Sequence, residues 1–202
     1  MARSYDMRRR ERAAADTRAR ILEAAHGLLN RSESTGLTVQ EVAAAAGVSR
    51  QTIYKSVGSR RELLSALFED QGRQVEYERV LAASGLADAA EAVIAVVRES
   101  CRSWSLMPEA LRKTLALAVM DREIRELVQQ YERYRRAEMR LLAKRAHQAG
   151  VLRADLSVEE AGATLALLTG FPVFDELCLE FDARRATEHL VRTVRSALGI
   201  TH

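Results

Sequence analysis

The chain contains only two prolines, Pro108 and Pro172, and ten glycines among its 202 residues. Sheet-rich folds of this length need many turns, and turns use glycine and proline for their special backbone angles. Apolar residues instead recur every three or four positions, which is the period of an amphipathic helix. We therefore predict an all-α fold. The nine expected helices cover approximately residues 14–31, 38–47, 49–55, 59–68, 86–105, 108–119, 121–149, 157–180 and 183–198.

Three hydroxyl residues near the N-terminus are placed to begin helices. Thr38 is followed by Glu41 and Ser59 by Glu62, which is the spacing of a capping box. Ser49 is an N-cap residue type in front of the intervening segment. In the second half of the chain, Pro172 is expected either to kink or to end the helix over 157–180.

The segment Thr38–Lys55 has the pattern of two short helices joined by a tight turn. Gly47 supplies the positive φ that such a turn needs. Ala43 is small where the helices approach each other, and the apolar Val48 and Ile53 are placed to hold the second helix against the first. The pattern predicts a helix-turn-helix, and a plain helical hairpin with a polar face is the alternative.

Between these apolar positions the second helix presents polar side chains, as a recognition helix in a major groove requires. Arg50 is predicted to read guanine O6 and N7, Gln51 adenine N6 and N7, and Thr52 a thymine methyl group or a phosphate. The remaining predicted DNA-binding residues, mainly phosphate contacts, are Thr38, Gln40, Ser49, Tyr54, Lys55 and Arg60.

The positive charge is concentrated in the first third of the chain. Residues 1–61 carry 12 basic and 6 acidic side chains, a net charge of +6, whereas the remainder carries 19 basic and 22 acidic side chains, a net charge of −3. This division favours a polyanion-binding module joined to a body of different function. A solvated basic tail with a chance asymmetry is the alternative.

Residues 14–68 resemble the tetracycline-repressor (TetR) family of transcription regulators. The resemblance rests on a first helix over 13–29, the segment Thr38–Lys55, and Ser59-Arg60-Arg61-Glu62-Leu63-Leu64 as the start of a fourth helix. Ser56-Val57 departs from the family, which usually carries His-Phe or a similar pair there. The resemblance implies a homodimer of nine-helix subunits that binds double-stranded operator DNA and is released by a small-molecule effector.

This resemblance also implies the domain organisation. We expect a basic N-terminal arm over 1–13, a helix-turn-helix DNA-binding domain over 14–60, and a helical ligand-binding and dimerisation domain over 61–202. The arm carries Arg8, Arg9, Arg10 and Arg12. It is expected either to follow phosphates or a minor groove, or to be a solubilising tail.

A DNA-binding dimer needs a two-fold interface, and small residues at helical spacing let two helices approach closely. We predict a four-helix dimer bundle from the last two long helices of each subunit. Packing of the same ridge within one chain is the alternative. The predicted interface residues are Gly162, Leu165, Ala166, Thr169, Gly170, Leu190, Val194 and Ala197.

Aromatic and sulfur-containing residues of the body are the candidates for a ligand pocket, with ordinary core packing as the alternative for each. No buried charged partner is evident, so a mostly apolar or aromatic ligand is expected. The predicted ligand-binding residues are Cys101, Trp104, Met107, Met120, Tyr131, Tyr134, Phe171 and Phe174.

Other functional classes find little support in the sequence. The four histidines are scattered, and no catalytic, phosphate-binding or zinc-binding motif is present, so we expect no enzyme activity, cofactor or metal. Two cysteines, no apolar run long enough for a membrane span and no signal-peptide pattern favour a cytoplasmic protein. A helical adaptor or a regulator controlled by a protein partner is the alternative function.

Overall fold

The computed structural model describes residues 2–30 and 37–201, and within these ranges it consists of α-helices without any strand. The predicted all-α fold is confirmed, with eleven helices over these residues where about nine were expected. The helices are α1 (Ala2–Asn30), α2 (Val39–Ala46), α3 (Arg50–Ser56), α4 (Arg60–Gln74), α5 (Tyr77–Ser84), α6 (Ala89–Leu106), α7 (Pro108–Met120), α8 (Arg122–Gln148), α9 (Val158–Leu168), α10 (Phe171–Leu177) and α11 (Ala183–Leu198).

The chain divides into two compact units, and the first comprises Met1–Gln71 with Arg112–Leu127. In its N-terminal part α1 packs against α2 and α3, and α2 packs against α3. The core between these helices is apolar, and Ile21, Val42 and Ile53 are fully buried there. Burying each such side chain contributes about 1.5–3 kcal/mol, which is how two short helices keep a fixed orientation.

The predicted capping residues begin α2, α3 and α4. Thr38 Oγ1 accepts a hydrogen bond from the Glu41 amide at 3.2 Å, and Glu41 Oε2 accepts one from the Thr38 amide at 2.8 Å. Ser49 Oγ accepts an amide N–H from the first turn of α3 at 3.0 Å. Ser59 and Glu62 make the reciprocal pair at the start of α4. These bonds satisfy backbone groups that would otherwise have no partner at the helix ends.

Helix α1 begins at Ala2, well before the position expected near residue 14. No glycine or proline precedes Gly27, and the arginine, glutamate and alanine residues of this stretch are strong helix formers. The segment predicted as an arm is therefore helical from Ala2. Arg9 and Arg12 are exposed on it, whereas the side chains of Arg8 and Arg10 lie outside the described residues.

Helix α5 was not predicted from the sequence. A turn with Glu76 in the left-handed region, at φ 53°, separates α4 from α5. Glycine or asparagine usually marks such a position, and glutamate does not. The Glu76 carboxylate accepts a hydrogen bond from Arg102 at 2.6 Å, a contact distant in sequence that helps to hold the turn.

Pro172 lies in the first turn of a new helix and not inside a long one. Gly170 is extended, at φ −75° and ψ 145°, and separates α9 from α10. Proline is well tolerated at the start of a helix because the first amides have no helical partner. The predicted helix over 157–180 is therefore two helices.

The second unit comprises Gly72–Leu111 and Val128–His202 and has its own apolar core. Here α6 packs against α5, α10 and α11, and α9 packs against α10 and α11. Among the core side chains, Leu165, Leu190 and Leu198 expose 1% or less. Across both units, every helix in the described ranges is too short or too polar to cross a membrane.

The turn of the helix-turn-helix gives a first prediction. Gly47 ends α2 in the left-handed region at φ 63°. We expect Gly47→Ala to lower the free energy of unfolding by about 1–2 kcal/mol, because a side chain is strained in this conformation. The control is Gly27→Ala within α1, where a new Cβ meets no atom within 4 Å. Urea unfolding followed by circular dichroism should show that this control leaves stability unchanged or raised; a loss as large as that of Gly47→Ala would contradict the strain argument.

Candidate functional site

Helix α3 has an exposed face that is polar and positively charged, and a buried apolar side chain holds the helix in place. Ile53 exposes 0% of its surface and fixes the helix to the core of the first unit. Arg50, Gln51 and Lys55 are exposed, and Tyr54 exposes 49%. No acidic residue occurs in α3, so no carboxylate within the helix competes with DNA phosphates for these groups. The face is therefore suited to base edges and phosphates together.

Three of the predicted DNA-binding residues also make hydrogen bonds at the N-termini of α2 and α3. The Ser49 and Thr52 hydroxyls lie 2.8 Å apart, in addition to the N-cap bond from Ser49. Thr38 donates its hydroxyl to Glu41 at 2.8 Å. These hydroxyls are therefore already hydrogen-bonded, and a phosphate near α2 or α3 would be met chiefly by backbone N–H groups and the helix dipole. The neighbouring Gln40 is exposed on α2.

Arg60 occupies a different environment from the other predicted contacts. Its Nη2 lies 2.5 Å from Asp121 Oδ2, its Nη1 pairs with Glu123, and its Nε donates to the carbonyl of Leu37 at 3.2 Å. Burial lowers the pKa of Arg60, but the two carboxylates outweigh it and raise the pKa overall. Its contact with DNA stays a prediction, and it would require exchange of a carboxylate for a phosphate. We call Arg60, Asp121 and Glu123 the ionic clasp.

Asp121 has two roles in the ionic clasp. Besides Arg60, it accepts the amides of Glu123 at 3.0 Å and Ile124 at 3.2 Å, and so caps α8. Burial raises its pKa, but the hydrogen bonds from Arg60 and these amides outweigh burial and lower it. Because the folded-state pKa lies below the ordinary value of about 4, this stabilisation is present at neutral pH and is lost as the pH falls.

We expect Asp121→Ala to lower the free energy of unfolding by about 2 kcal/mol, since it removes a helix cap and an ion-pair partner. Asp121→Asn is the matched control, because its amide oxygen still accepts the α8 amides and only the charge is lost. Urea unfolding at neutral pH should show a smaller loss for asparagine. Equal losses would mean that the cap contributes nothing.

The predicted ligand-binding residues in α6 and α10 are largely buried. Trp104 and Phe171 are in edge contact with ring centroids 6.0 Å apart, and Phe174 exposes 3%. Tyr131 makes a similar contact with Tyr77 at 5.7 Å. All of these aromatic residues belong to the second unit.

The other predicted ligand-binding residues are more dispersed. Cys101 is buried, and this burial raises the pKa of its thiol to about 11. Met107 is half-buried at the end of α6. Tyr134 exposes 52% on α8, and Met120 exposes 87% at the end of α7, in the first unit. Because Tyr134 and Met120 are exposed, neither packs among the buried aromatic residues Trp104, Phe171 and Phe174. Among the described residues, no group of three or more His, Cys, Asp or Glu could hold a metal ion.

The predicted dimer residues are packed within the single chain. Seven of the eight are buried in the subunit, and Ala197 is half-buried. A Cβ at Gly162 would lie 3.1 Å from the Arg140 Cα, so the small ridge of α9 serves close approach to α8. The arrangement matches the intrachain alternative, in which the ridge is part of the core.

Two functionally suggestive residues were missed in the sequence. Arg135 is buried in α8 with 6% exposure, and the hydroxyl of Tyr77 is buried without a hydrogen-bond partner among the described residues. The spacing of Tyr131, Arg135, Met139 and Leu142 along one face of α8 was the available signal, because an arginine within an apolar stripe is unusual.

Residues 21–67 match the family model described as bacterial regulatory proteins, tetR family. The sequence has no significant match among curated proteins.

Solved structures share the fold over nearly the whole chain. NalD, the secondary repressor of the MexAB-OprM multidrug efflux pump in Pseudomonas aeruginosa, is 21% identical over 92% of this chain and 97% of NalD, with a TM-score of 0.69. PfmR, a TetR family transcriptional regulator from Thermus thermophilus, is 21% identical over 91% of this chain and 96% of PfmR, with a TM-score of 0.65. SmeT in complex with triclosan is 21% identical over 90% of this chain and 91% of SmeT, with a TM-score of 0.70.

The matched segment contains the elements on which the α3 face depends. It begins at Ile21 in the core of α1, includes both capped helices and Gly47, and ends at Leu67 in α4. Sequence match, local geometry and the fold shared with solved TetR regulators agree. Residues 21–67 therefore match the N-terminal region of the tetR family of bacterial regulatory proteins, and the chain as a whole shares its fold with solved TetR regulators.

Proposed function

We propose that the protein is a transcriptional repressor that binds a palindromic operator as a homodimer and releases it when a small molecule binds the second unit. The observation that carries this proposal is the α3 face. Arg50, Gln51 and Lys55 are exposed there, while Ile53 of the same helix is fully buried and holds the helix to the core. Such a helix places base-reading side chains in a major groove without loss of its own core.

The proposed roles follow from position along α3. Arg50 and Gln51 lie in its first turn, which is the part of a recognition helix that reaches base edges, so we assign them guanine and adenine recognition. Tyr54 and Lys55 lie in the last turn and are assigned to phosphates. Gln40 and the N-termini of α2 and α3 provide further phosphate contacts, and Arg9 and Arg12 add positive charge along α1.

We place the homodimer surface on the outward side of α8 and α9. Leu141 exposes 58% and Leu167 exposes 65%, and these helices meet where Gly162 contacts Arg140. Tyr134 lies seven residues before Leu141 and so shares its face of α8. Exposed apolar groups on adjoining helices are what a self-complementary two-fold interface requires. We propose this surface instead of the predicted ridge of small residues on α9, because the side chains of that ridge are already packed within the chain.

Control by a small molecule is supported by the aromatic cluster of the second unit and by SmeT, which was solved with triclosan. NalD is a repressor of an efflux pump, which supports repression as the direction of control. The tetR family consists of regulators, and we propose no catalytic activity. Because the proposed target is DNA, we propose a cytoplasmic location.

Footprinting on DNA from the region upstream of the protein's own gene tests this function. We expect two protected half-sites with two-fold symmetry, their centres about one helical turn of 10 bp or a multiple apart, because each subunit places one α3 in a major groove. Protection without symmetry, or protection of every fragment alike, would contradict an operator-binding dimer.

A further inference from the structure

Among the described residues, Arg135 is the one lysine or arginine whose side chain is buried, with 6% exposure. Removing a guanidinium from water is unfavourable unless partners satisfy its charge and its N–H groups. Arg135 therefore needs acceptors for its charge and for each of its N–H groups.

The protein supplies only part of that environment. Arg135 donates from Nε to Glu132 Oε1 at 3.2 Å and from Nη2 to Glu132 Oε2 at 2.8 Å. Its Nη1 donates to Thr169 Oγ1 at 3.1 Å. A guanidinium has five N–H groups, so each terminal nitrogen of Arg135 keeps one N–H that meets no acceptor in the described part of the chain. Glu132 is also shared with Arg136, 3.9 Å away, so one carboxylate faces two guanidiniums.

Two aromatic pairs are linked to this incompletely satisfied cation. The Trp104 indole N–H donates to the carbonyl of Thr169 at 2.9 Å, and the Trp104 ring touches Phe171 edge-on. Tyr131 lies one helical turn before Arg135 on α8, and its ring touches Tyr77. These contacts join the two aromatic pairs to the Arg135 side chain through Thr169 and α8.

Tyr77 contributes a second unsatisfied polar group. Its buried hydroxyl has no partner within hydrogen-bond distance among the described residues, although it is near enough to the Tyr131 hydroxyl to add to the rise that burial causes in the pKa of Tyr131. Burial raises the pKa of Tyr77 to about 12, and the charge of Arg135 opposes that rise, so the phenol is neutral and lies within the field of the guanidinium. A neutral hydroxyl and a guanidinium are both donors, and one oxyanion can accept from both.

We propose that Tyr77, Trp104, Tyr131, Arg135 and Phe171 form the effector site, and that the effector is an aromatic or aliphatic carboxylate. Its carboxylate accepts from Arg135 and Tyr77, and its apolar body packs against the aromatic rings. A monoanion fits better than a dianion because Glu132 already neutralises part of the charge. This rests on the proposed function for its regulatory meaning, and it adds a carboxylate to the mostly apolar or aromatic ligand expected from the sequence.

Trp104 is the only tryptophan of the chain, so its fluorescence reports on this site without a label. The probes are two matched pairs of an acid and its neutral amide, phenylacetate with phenylacetamide and decanoate with decanamide, and each is titrated into the full chain. We expect saturable changes for at least one acid, with its amide binding at least about tenfold more weakly, as loss of a charge-assisted hydrogen bond implies. No saturable response to either acid at millimolar concentrations, or equal binding of acid and amide, would overturn the proposal.

Variants separate the site from a general effect on folding. Tyr77→Phe removes only the unpartnered hydroxyl and should weaken acid binding several-fold while leaving amide binding unchanged. Arg135→Met combined with Glu132→Gln removes the ion pair without leaving a lone buried charge, and it should abolish the preference for acid over amide. Arg140→Met is the control, because Arg140 is on the same helix but 64% exposed, and it should keep the preference. A preference unchanged in both test variants would contradict the assignment.

Release of DNA is measured separately from ligand binding. An acid that binds at Trp104 but leaves DNA affinity unchanged supports the site and contradicts effector control in the proposed function. Sequence-specific DNA binding in a protein that binds none of the acids supports the operator assignment and overturns the carboxylate site.

Discussion

Alanine at Arg50 or at Gln51 is expected to reduce discrimination between operator and scrambled DNA by roughly 5- to 150-fold, because one bidentate base contact is worth about 1–3 kcal/mol. Both side chains are exposed at the start of α3 and neither caps a helix. The variants should therefore keep the helical content and thermal stability of the original protein. Fluorescence anisotropy with both DNA sequences at one salt concentration measures the ratio.

Lys55→Ala provides the contrasting result. Lys55 lies in the last turn of α3 and is assigned to a phosphate, so its loss should weaken binding to both sequences alike and reduce the salt dependence by about one released ion. A loss of discrimination on replacing Lys55, with Arg50→Ala neutral, would show that α3 lies on DNA in a different orientation.

Ile53→Ala is expected to lower the free energy of unfolding by about 2–5 kcal/mol, because it leaves a cavity beneath the recognition helix. Ile53 is fully buried among α1, α2 and α3, where Ile21, Ala25 and Val42 are also fully buried. A loss of this size is a large part of the roughly 5–15 kcal/mol that stabilises a typical domain. DNA affinity should therefore fall for every sequence, in contrast to the selective effect of Arg50→Ala.

Ile53→Val is the matched control for this prediction. It removes one methylene group and should cost only about 0.5–1.5 kcal/mol, with DNA binding retained. Circular dichroism during urea unfolding measures both variants. A stable Ile53→Ala protein with normal operator affinity would contradict the role of this core in holding α3.

The local features of the helix-turn-helix were predictable because short-range chemistry determines them. Thr38, Ser49 and Ser59 cap helices through hydrogen bonds to residues three positions along the chain. Gly47 takes the left-handed angle that its lack of a side chain permits. Such features depend on neighbours in sequence, so spacing and residue type were sufficient to identify them.

Features that depend on distant contacts were not predictable in the same way. The turn at Glu76 is tied to Arg102, and the environment of Arg135 depends on Thr169 across 34 residues. The small ridge of α9 fits either an intrachain or an intersubunit helix pair, since both follow the same packing rules. Only the fold shows that Arg140 of α8 occupies the space above Gly162.

The most direct test of sequence-specific recognition by α3 is an anisotropy titration with DNA from the protein's own upstream region and with scrambled DNA, over a salt series. We predict that affinity for both falls with salt as counterions are released, while the upstream sequence stays bound about 10³-fold or more tightly. Equal affinity for the two sequences at every salt concentration would contradict the account.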